Sequence, residues 1–302
     1  MSKIFLENLP ERFVRNALGV CGKRGEEWLS DLPKITDEIS KKWSLKIERH
    51  FPNLSYNYVA PCVCEGGIEA VLKIGLPEEN PEIFSEANFL QISNGAGAVK
   101  LLKFDKKHRA LLLEKLTPGK HLKEIFRGKE MQAVETAIVV MRKLRREPPA
   151  NCDFRRLEDW FQGFDRAGNT DFPQECIEKA RKIFCESNSS QKFLLHGDLH
   201  HENILSATRE EFLAIDPKGI VGDIGYEIAV FLNNHRWWLS SEPDLPEKLN
   251  HAVRKFSEVF AIEPQNLKKW AYAQMVLSAW WTFEESGENW QTDLALAEIW
   301  DV

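Results

Sequence analysis

Long apolar runs are missing from this sequence, and so is the pattern of a secretory signal. No stretch approaches the roughly 20 consecutive apolar residues that a helix needs to span a bilayer. The N-terminal residues, MSKIFLENLPERF, contain neither an apolar signal-peptide core nor a small-residue cleavage site. The sequence therefore predicts no membrane span and no membrane partner, and it favours a cytoplasmic location.

Cysteine motifs and excess positive charge are missing too. The six cysteines show no repeated C-x-x-C spacing, so free thiols are expected and a zinc framework is not. The formal net charge of −6 disfavours a nucleic-acid-binding protein, which normally carries a basic patch. The same charge suits a cationic ligand. Internal repeats, low-complexity tracts and heptads are also absent from the sequence.

The periodicity of apolar residues divides the chain into three parts. Residues 1–44 have helical spacing, and Pro33 is predicted to separate two of the helices there. Residues 45–117 mostly alternate, as antiparallel strands do, and residues 118–302 return to helical spacing over most of their length. At 302 residues the chain is long enough for two lobes.

A polar loop between two apolar runs carries the most specific motif. The run Phe193–Leu195 is followed by HGDLHHEN, a second apolar run, a polar turn and FLAIDP. His196, Asp198 and Asn203 have the spacing H-x-D-x-x-x-x-N of a kinase catalytic loop. In such a loop the aspartate orients the attacking hydroxyl and accepts its proton, and the asparagine binds magnesium. Asp216, after the next hairpin, is placed to bind the metal that bridges the phosphates.

Two other interpretations of this loop remain open. Its histidines and carboxylates, from His196 to Glu202, are ordinary ligands of zinc or iron, so a metal-dependent hydrolase is an alternative. A purely structural loop with satisfied hydrogen bonds is a third possibility. A structural loop does not need so many ionisable groups together, which favours phosphoryl transfer.

A lysine in the predicted sheet fits the same chemistry. The segment AVLK ends at Lys73 and is close to the V-A-I-K motif, whose lysine contacts the α and β phosphates of the nucleotide. Glu86, on the helix that follows, is placed to form the lysine–glutamate ion pair that kinases require. Glu82, one helical turn earlier, is the alternative partner.

These motifs carry a family resemblance. HGDLHHENIL and IDPKGIVGDIGYEIAVFLNN resemble the aminoglycoside phosphotransferases, most closely the streptomycin-type and hydroxyurea branch. GEEWLSDLP near the N-terminus and ALLLEKLTPG in the predicted sheet are similar to segments of that branch. The resemblance implies an α+β, protein-kinase-like fold with two lobes, ATP and Mg²⁺ as cofactors, and a small hydroxylated substrate.

The resemblance also implies a division of labour along the chain. Residues 1–117 would form the nucleotide-binding lobe, with a helical extension over residues 1–44, and residues 118–302 would form the helical catalytic and substrate lobe. In the loop NLSYN, Ser55 would present its hydroxyl and amide to a phosphate, although this loop has no glycine. The alternative for Ser55 is simple turn chemistry.

The kinase arrangement also predicts contacts with the adenine ring, and the C-terminal part of the resemblance predicts contacts with the acceptor. Val59 would contact the adenine ring, and the backbone from Glu114 to Leu116 would hydrogen-bond its edge. The segment LSAWWTFEESGE is similar to the family's substrate side, which makes three residues candidate acceptor contacts: Trp281, Glu284 and Glu285. Packing or a solvated helix surface is the alternative for each of them.

The sequence therefore predicts an ATP-dependent O-phosphotransferase that acts on a hydroxyl of a small, possibly cationic molecule. An aminoglycoside of the streptomycin type or a hydroxyurea-like acceptor is favoured by the resemblance. Kinases for choline, homoserine or a sugar share the same machinery and remain alternatives, as does a catalytically silent binding protein of kinase shape. The oligomeric state does not follow from the sequence.

Overall fold

Amphipathic helices open the described part of the chain. The structure, a computed structural model, describes residues 9–79, 82–150, 153–168, 170–188, 191–239 and 244–302. Helix α1 (Glu11–Cys21) buries Phe13 and Ala17, which lie one turn apart. The Phe13 ring packs against Trp28 of helix α2 (Lys23–Trp43), with ring centroids 5.8 Å apart. The two helices therefore share one apolar contact surface.

Pro33 does not separate two helices, so this prediction was wrong. It lies inside α2, which runs through it without a break. A proline in a helix interior removes a hydrogen bond and costs about 3 kcal/mol. The apolar face of α2 continues on both sides of the proline, with Leu29 and Leu32 buried before it and Ile39 and Trp43 buried after it. Packing of that face outweighs the local cost.

A five-stranded antiparallel sheet packs on these helices, as predicted. Its strands are β1 (Leu45–Ile47), β2 (Tyr58–Cys64), β3 (Glu69–Ile74), β4 (Leu101–Asp105) and β5 (Ala110–Glu114). They lie in the order β1-β2-β3-β5-β4. Ala60, Ala70 and Leu72 belong to the same buried cluster as residues of α1 and α2. Helix α3 (Glu82–Ser93) lies between β3 and β4 in the chain and buries Glu86 with its apolar residues.

The chain divides into two compact units, Met1–Gly119 and Lys120–Val302. Helices dominate the described part of the second unit: α4 (Leu122–Ile125), α5 (Glu130–Leu144), α6 (Leu157–Gln162), α7 (Gln174–Ser187), α8 (Ile224–Leu239), α9 (Leu245–Phe260), α10 (Pro264–Ser286) and α11 (Trp290–Ala297). The predicted α+β class is therefore confirmed.

Two small sheets, formed almost wholly by residues of the second unit, position the polar loop. Their strands are β6 (Pro118–His121), β7 (Arg155–Arg156), β8 (Phe193–Leu195), β9 (Ile204–Ala207), β10 (Phe212–Ala214) and β11 (Ile220–Gly222). One sheet has the order β10-β9-β6, and the other has the order β7-β11-β8. The loop that carries the H-x-D-x-x-x-x-N motif leaves β8 and enters β9, so it joins the two sheets.

The sequence predicted free cysteines and no membrane-spanning helix, and both can be compared with the described residues. The described cysteines, Cys21, Cys62, Cys64, Cys176 and Cys185, are free thiols, as predicted, and Cys152 lies outside the described residues. Within the same part of the chain, no helix combines the length and the apolar character that crossing a membrane requires.

The start of α8 depends on a glycine. A Cβ atom on Gly225 would lie 2.3 Å from Cδ1 and 2.6 Å from Nε1 of Trp270, a residue that is fully buried. We predict that Gly225→Ala lowers the free energy of unfolding by about 1–3 kcal/mol, because an overpacked core must shift. Denaturant unfolding measures this change.

Gly19→Ala is the matched control. Gly19 lies on α1, and a Cβ there would meet no atom within 4 Å. This substitution should raise the free energy of unfolding by up to about 1 kcal/mol, because alanine favours helix over glycine. Equal effects of the two substitutions would contradict the close packing of Gly225 on Trp270.

Candidate active site

Asp198 and Asn203 lie together in the loop between β8 and β9. The Asn203 side chain donates from Nδ2 to the Asp198 carbonyl oxygen at 2.9 Å and approaches the Asp198 carboxylate oxygen Oδ2 at 3.4 Å. Asn203 is buried, whereas Asp198 is partly exposed. The asparagine therefore fixes the aspartate from inside the protein, and the carboxylate keeps access to solvent.

Asp216 is brought to the same place by the β9–β10 hairpin. Ala214 pairs with Ile204, and the pairing continues because the Ile215 N–H donates to the Asn203 carbonyl at 2.9 Å. Asp216 therefore follows the hydrogen-bonded partner of Asn203 directly. Its φ of 58° lies in the left-handed region, which aspartate tolerates better than most residues. Strained backbone of this kind is concentrated at functional sites.

His196 is buried and hydrogen-bonds to the backbone of Ile215 and Asp198. Its Nε2 lies 2.8 Å from the Ile215 carbonyl oxygen, so Nε2 carries the proton, and Nδ1 accepts the Asp198 N–H at 3.3 Å. Burial lowers the pKa of this imidazole to about 3. The ring is therefore neutral at physiological pH, and its two hydrogen bonds support the loop.

A buried carboxylate on helix α8 anchors the beginning of the loop. Oε1 of Glu227 accepts the N–H of His196, and Oε2 accepts the N–H of Gly197, each at 2.8 Å. The residue is 2% exposed. Because these two N–H groups immediately precede Asp198, Glu227 fixes the backbone that leads into this aspartate. Asp223, which directly precedes α8, accepts the Gly225 N–H at 2.7 Å.

The anchoring carboxylate titrates near neutrality. Burial and, to a smaller extent, the negative charge of Asp198 raise the pKa of Glu227 to about 7. The two N–H groups act in the opposite direction, because they stabilise the ionised form. The loop is therefore held by a group that changes its protonation state in the physiological range.

The side chains from His196 to Glu202 do not converge as metal ligands would. His196 faces the Ile215 carbonyl. His201 stacks on Phe231, with ring centroids 4.2 Å apart. Glu202 forms an ion pair with Lys123. Across the described residues, no group of three or more His, Cys, Asp or Glu side chains is placed to hold a metal ion. The geometry does not support the hydrolase alternative.

The donors near Asp198 do suit magnesium bound together with phosphates. Mg²⁺ prefers oxygen ligands, and it usually takes one or two carboxylates and completes its shell with phosphates and water. The Nδ2 end of Asn203 faces Asp198, so Oδ1 at the other end of the amide is the atom that can bind a cation. With the Asp216 carboxylate, this oxygen makes a donor pair of the right chemistry.

In the first unit, Lys73 and Glu86 form a buried ion pair. Nζ of Lys73 lies 2.7 Å from Oε2 of Glu86, and both side chains are about 5% exposed or less. Lys73 lies on β3 between Val59 and Leu111 of the neighbouring strands. Glu86 rather than Glu82 is thus the observed partner of this lysine. Such a pair is typical of kinases, where it positions the lysine for the phosphates.

The other predicted nucleotide contacts also lie in the first unit. Ser55 is half-buried, and Asn16 of α1 donates to its carbonyl oxygen at 3.2 Å. Glu114 ends β5, and Oε2 of its side chain accepts the Lys100 N–H at 3.1 Å. Leu116, two residues further on, is half-buried. These positions are compatible with the predicted contacts, which stay predictions.

The three candidate acceptor residues on α10 have different surroundings. Trp281 is half-buried and packs edge-on against Trp160, with ring centroids 5.3 Å apart. Glu284 receives two hydrogen bonds from Arg166, at 2.6 and 2.7 Å, and this contact raises the pKa of the Arg166 guanidinium. Glu285 is exposed. The charge of Glu284 is therefore already compensated by an arginine.

Comparison with known proteins agrees with this geometry. The family described as aminoglycoside/hydroxyurea antibiotic resistance kinase matches residues 42–287. The chain belongs to this family. The predicted activity, phosphotransfer to a hydroxyl of a small molecule, is confirmed at the level of the family.

Individual relatives match nearly the whole chain of this kinase. Streptomycin 6-kinase of Streptomyces glaucescens is 26% identical over 94% of this chain and 94% of its own length. Hydroxyurea phosphotransferase of Kitasatospora aureofaciens is 26% identical over 96% of this chain and 85% of its own length. The solved structure of amicoumacin kinase hAmiN, at 15% identity, superimposes with a TM-score of 0.64 over 90% of this chain and 93% of its own. The last similarity confirms the kinase-like fold.

Sequence reasoning missed two residues of this kinase's candidate site. Glu227 is the one charged residue in the apolar segment IGYEIAVFL at the start of α8, and that isolation was a usable signal. Trp160 had no comparable signal, because its importance comes from its contact with Gly197 and Trp281, both distant in sequence.

We predict that Glu227→Gln lowers kcat by about tenfold, because the amide places its own N–H₂ against a backbone N–H and loses a buried hydrogen bond. Wild-type kcat should fall as the pH is lowered through about 7, because Glu227 then takes up a proton and binds the two N–H groups less well. The pH profile of the variant should be flat in that window. Steady-state kinetics across this range measures both effects.

Stability should show the opposite dependence on pH. The pKa of Glu227 in the folded protein lies above its ordinary value of 4.5. Its contribution to the free energy of unfolding is therefore fully present below 4.5 and is lost as the pH rises through about 7. The difference in Tm between wild type and Glu227→Gln should follow this course. Identical pH profiles of the two proteins in both measurements would contradict the anchoring role.

Proposed function

We propose that this kinase transfers the terminal phosphoryl group of ATP to a hydroxyl group of a small acceptor. The observation that carries the proposal is the assembly of Asp198, Asn203 and Asp216 by one loop and one hairpin. In this proposal Asp198 orients the acceptor hydroxyl and accepts its proton, because its carboxylate is held by the Asn203 amide and remains partly exposed.

Asn203 and Asp216 would hold the magnesium ion through an amide oxygen and a carboxylate oxygen. When bound, magnesium would neutralise charge on the phosphates of the nucleotide. The protein's own contribution is to fix the two oxygens before the ligand arrives. The amide of Asn203 is oriented by Asp198, and Asp216 is oriented by the pairing of Ile215 with Asn203.

We further propose that residues 1–117 bind the nucleotide. Lys73 would contact its phosphates, with Glu86 keeping the ammonium group in place. Val59 faces the same side of the sheet as Lys73, because the two residues are cross-strand partners, and this supports a contact with the adenine ring. Ser55 would contact a phosphate, and the backbone from Glu114 to Leu116 would bind the adenine edge.

The acceptor we propose is a hydroxylated molecule of the streptomycin or hydroxyurea type. This choice rests on relatives named for those substrates, which match almost the whole chain. Trp281 and Glu285 would contact the acceptor. Glu284 would act together with Arg166, because the two side chains already form a bidentate pair.

An acceptor screen with Asp198→Asn as the negative control tests this function. Wild type should release ADP and phosphorylate at least one member of a panel of streptomycin-like aminocyclitols and hydroxyurea. The variant should lose on the order of 10²–10⁴-fold in kcat, because it lacks the general base, and should keep a thermal shift with ATP and magnesium.

Asp153→Asn makes the same chemical change at an exposed position and should leave kcat unchanged. The panel also includes choline, homoserine and sugars, and turnover of only these would redirect the substrate assignment. Full turnover by Asp198→Asn would refute the role given to this aspartate.

Lys73 can be tested separately from folding. Lys73→Met should abolish turnover and lower the free energy of unfolding by about 3–5 kcal/mol, because it leaves the Glu86 carboxylate buried without its lysine. The double substitution Lys73→Met with Glu86→Gln should recover most of that stability and none of the activity. Kinetics and denaturant unfolding of both variants provide the comparison.

Recovery of turnover in the double variant would show that Lys73 has a structural role only. The single Glu86→Gln substitution completes the cycle, and it should reduce activity less than Lys73→Met does, because the ammonium group is still present.

A further inference from the structure

Two tryptophans differ from the others in their exposure. Among the tryptophans whose side chains the structure describes, six are buried: Trp28, Trp43, Trp270, Trp280, Trp290 and Trp300. Trp160 and Trp281 are only half-buried. A half-buried pair of tryptophans leaves aromatic surface that a ligand can contact.

The two half-buried rings lie against each other at a right angle. Trp160 on α6 and Trp281 on α10 have ring centroids 5.3 Å apart and an interplanar angle of 89°. Trp160 also contacts the buried ring of Tyr226 at 5.8 Å, which holds it from the inside. The pair therefore forms a fixed corner with two aromatic surfaces, which we call the aromatic corner (Trp160 and Trp281).

The aromatic corner lies beside the catalytic loop. A Cβ atom on Gly197 would lie 3.3 Å from Cη2 of Trp160, so the six-membered ring of this tryptophan packs directly on the residue that precedes Asp198. Tyr226, the inner neighbour of Trp160, directly precedes Glu227 on α8. The aromatic corner is thus held by the same elements that position the proposed acceptor-binding aspartate.

The charges around the aromatic corner favour a cation. After burial, the negative charges of Asp198 and Glu227 are the next causes of the raised pKa of Tyr226, so two carboxylates lie close enough to act on the ring that supports Trp160. The guanidinium of Arg166, which is close to α10, is paired with Glu284 and adds little net positive charge. Aromatic faces attract ammonium and guanidinium groups, and tryptophan does so most strongly.

We propose that the aromatic corner binds a guanidinium or ammonium group of the acceptor and holds its hydroxyl at Asp198. Trp160 would then be a specificity-determining residue of this kinase. The inference rests on the proposed function, because it names the acceptor class of the same site. It predicts a preference for charge, which a contact made only by shape would not give.

Acceptors matched in shape and different in charge test this proposal. A guanidino-substituted cyclitol and the same cyclitol with ureido groups differ in charge and hardly in size. Wild type should have the higher kcat/KM for the guanidino compound. Trp160→Leu should reduce kcat/KM for that compound by about 2- to 30-fold, the range expected for a cation–π contact, and should change the value for the ureido compound by less than about twofold.

Two further variants keep the test independent of folding. Trp160→Phe retains an aromatic ring and should lose only part of the preference, because phenylalanine binds cations less strongly than tryptophan. Phe104→Leu removes an exposed aromatic ring from β4 of the first unit and should leave the preference unchanged. Tm measurements on all variants identify any that are destabilised.

The outcomes separate the inference from the function on which it rests. Turnover of both compounds, with a ratio of kcat/KM that is the same in wild type and Trp160→Phe or Trp160→Leu, would overturn the aromatic corner as a cation site and leave the kinase activity in place. Turnover of neither these compounds nor any other member of the acceptor panel would overturn the proposed function and the inference together.

Discussion

The candidate site depends on one buried carboxylate that binds two backbone N–H groups. Glu227 fixes the residues just before Asp198, and it does so from a helix whose first residues are entirely buried. Burying an ionised carboxylate costs several kcal/mol, and hydrogen bonds offset this cost only in part. The raised pKa of about 7 is the visible sign of that incomplete compensation. The two hydrogen bonds to Glu227 hold the start of the loop at this cost in the core.

The first unit uses the same physical solution. The buried pair of Lys73 and Glu86 also keeps charged groups out of water and in a fixed geometry. Groups held in this way do not reorganise when charge develops in a reaction, which is the largest electrostatic contribution to catalysis in many enzymes. Replacing such pairs by apolar residues often stabilises a protein. The buried pair of Lys73 and Glu86 is therefore better explained by chemistry than by stability.

The sequence was sufficient where the chemistry is local. The spacing of Asp198 and Asn203, and the position of Asp216 after a hairpin, follow from short-range patterns that a strand and a turn convert directly into geometry. The sequence left Glu82 and Glu86 as alternative partners of Lys73, because residues four apart share one helix face, and the structure shows the pair with Glu86. Pro33 was predicted wrongly because tertiary packing of α2 outweighs a local propensity.

The rest of the site could not be derived from local patterns. Glu227 and Trp160 act through residues 30 or more positions away, His196 and Gly197, and a single sequence does not reveal such contacts. The identity of the acceptor is harder still, because substrate pockets change on a constant fold. Relatives named for streptomycin and for hydroxyurea are equally similar to this chain, at 26% identity each.

Amide hydrogen exchange of the ligand-free protein tests the central claim most directly. If buried hydrogen bonds assemble the loop before any ligand binds, the amides of His196 and Gly197 should exchange as slowly as those of the adjacent strand β8. Rapid exchange of these two amides, with protection only after ATP, magnesium and an acceptor are added, would show that ligands build the site and would contradict the account.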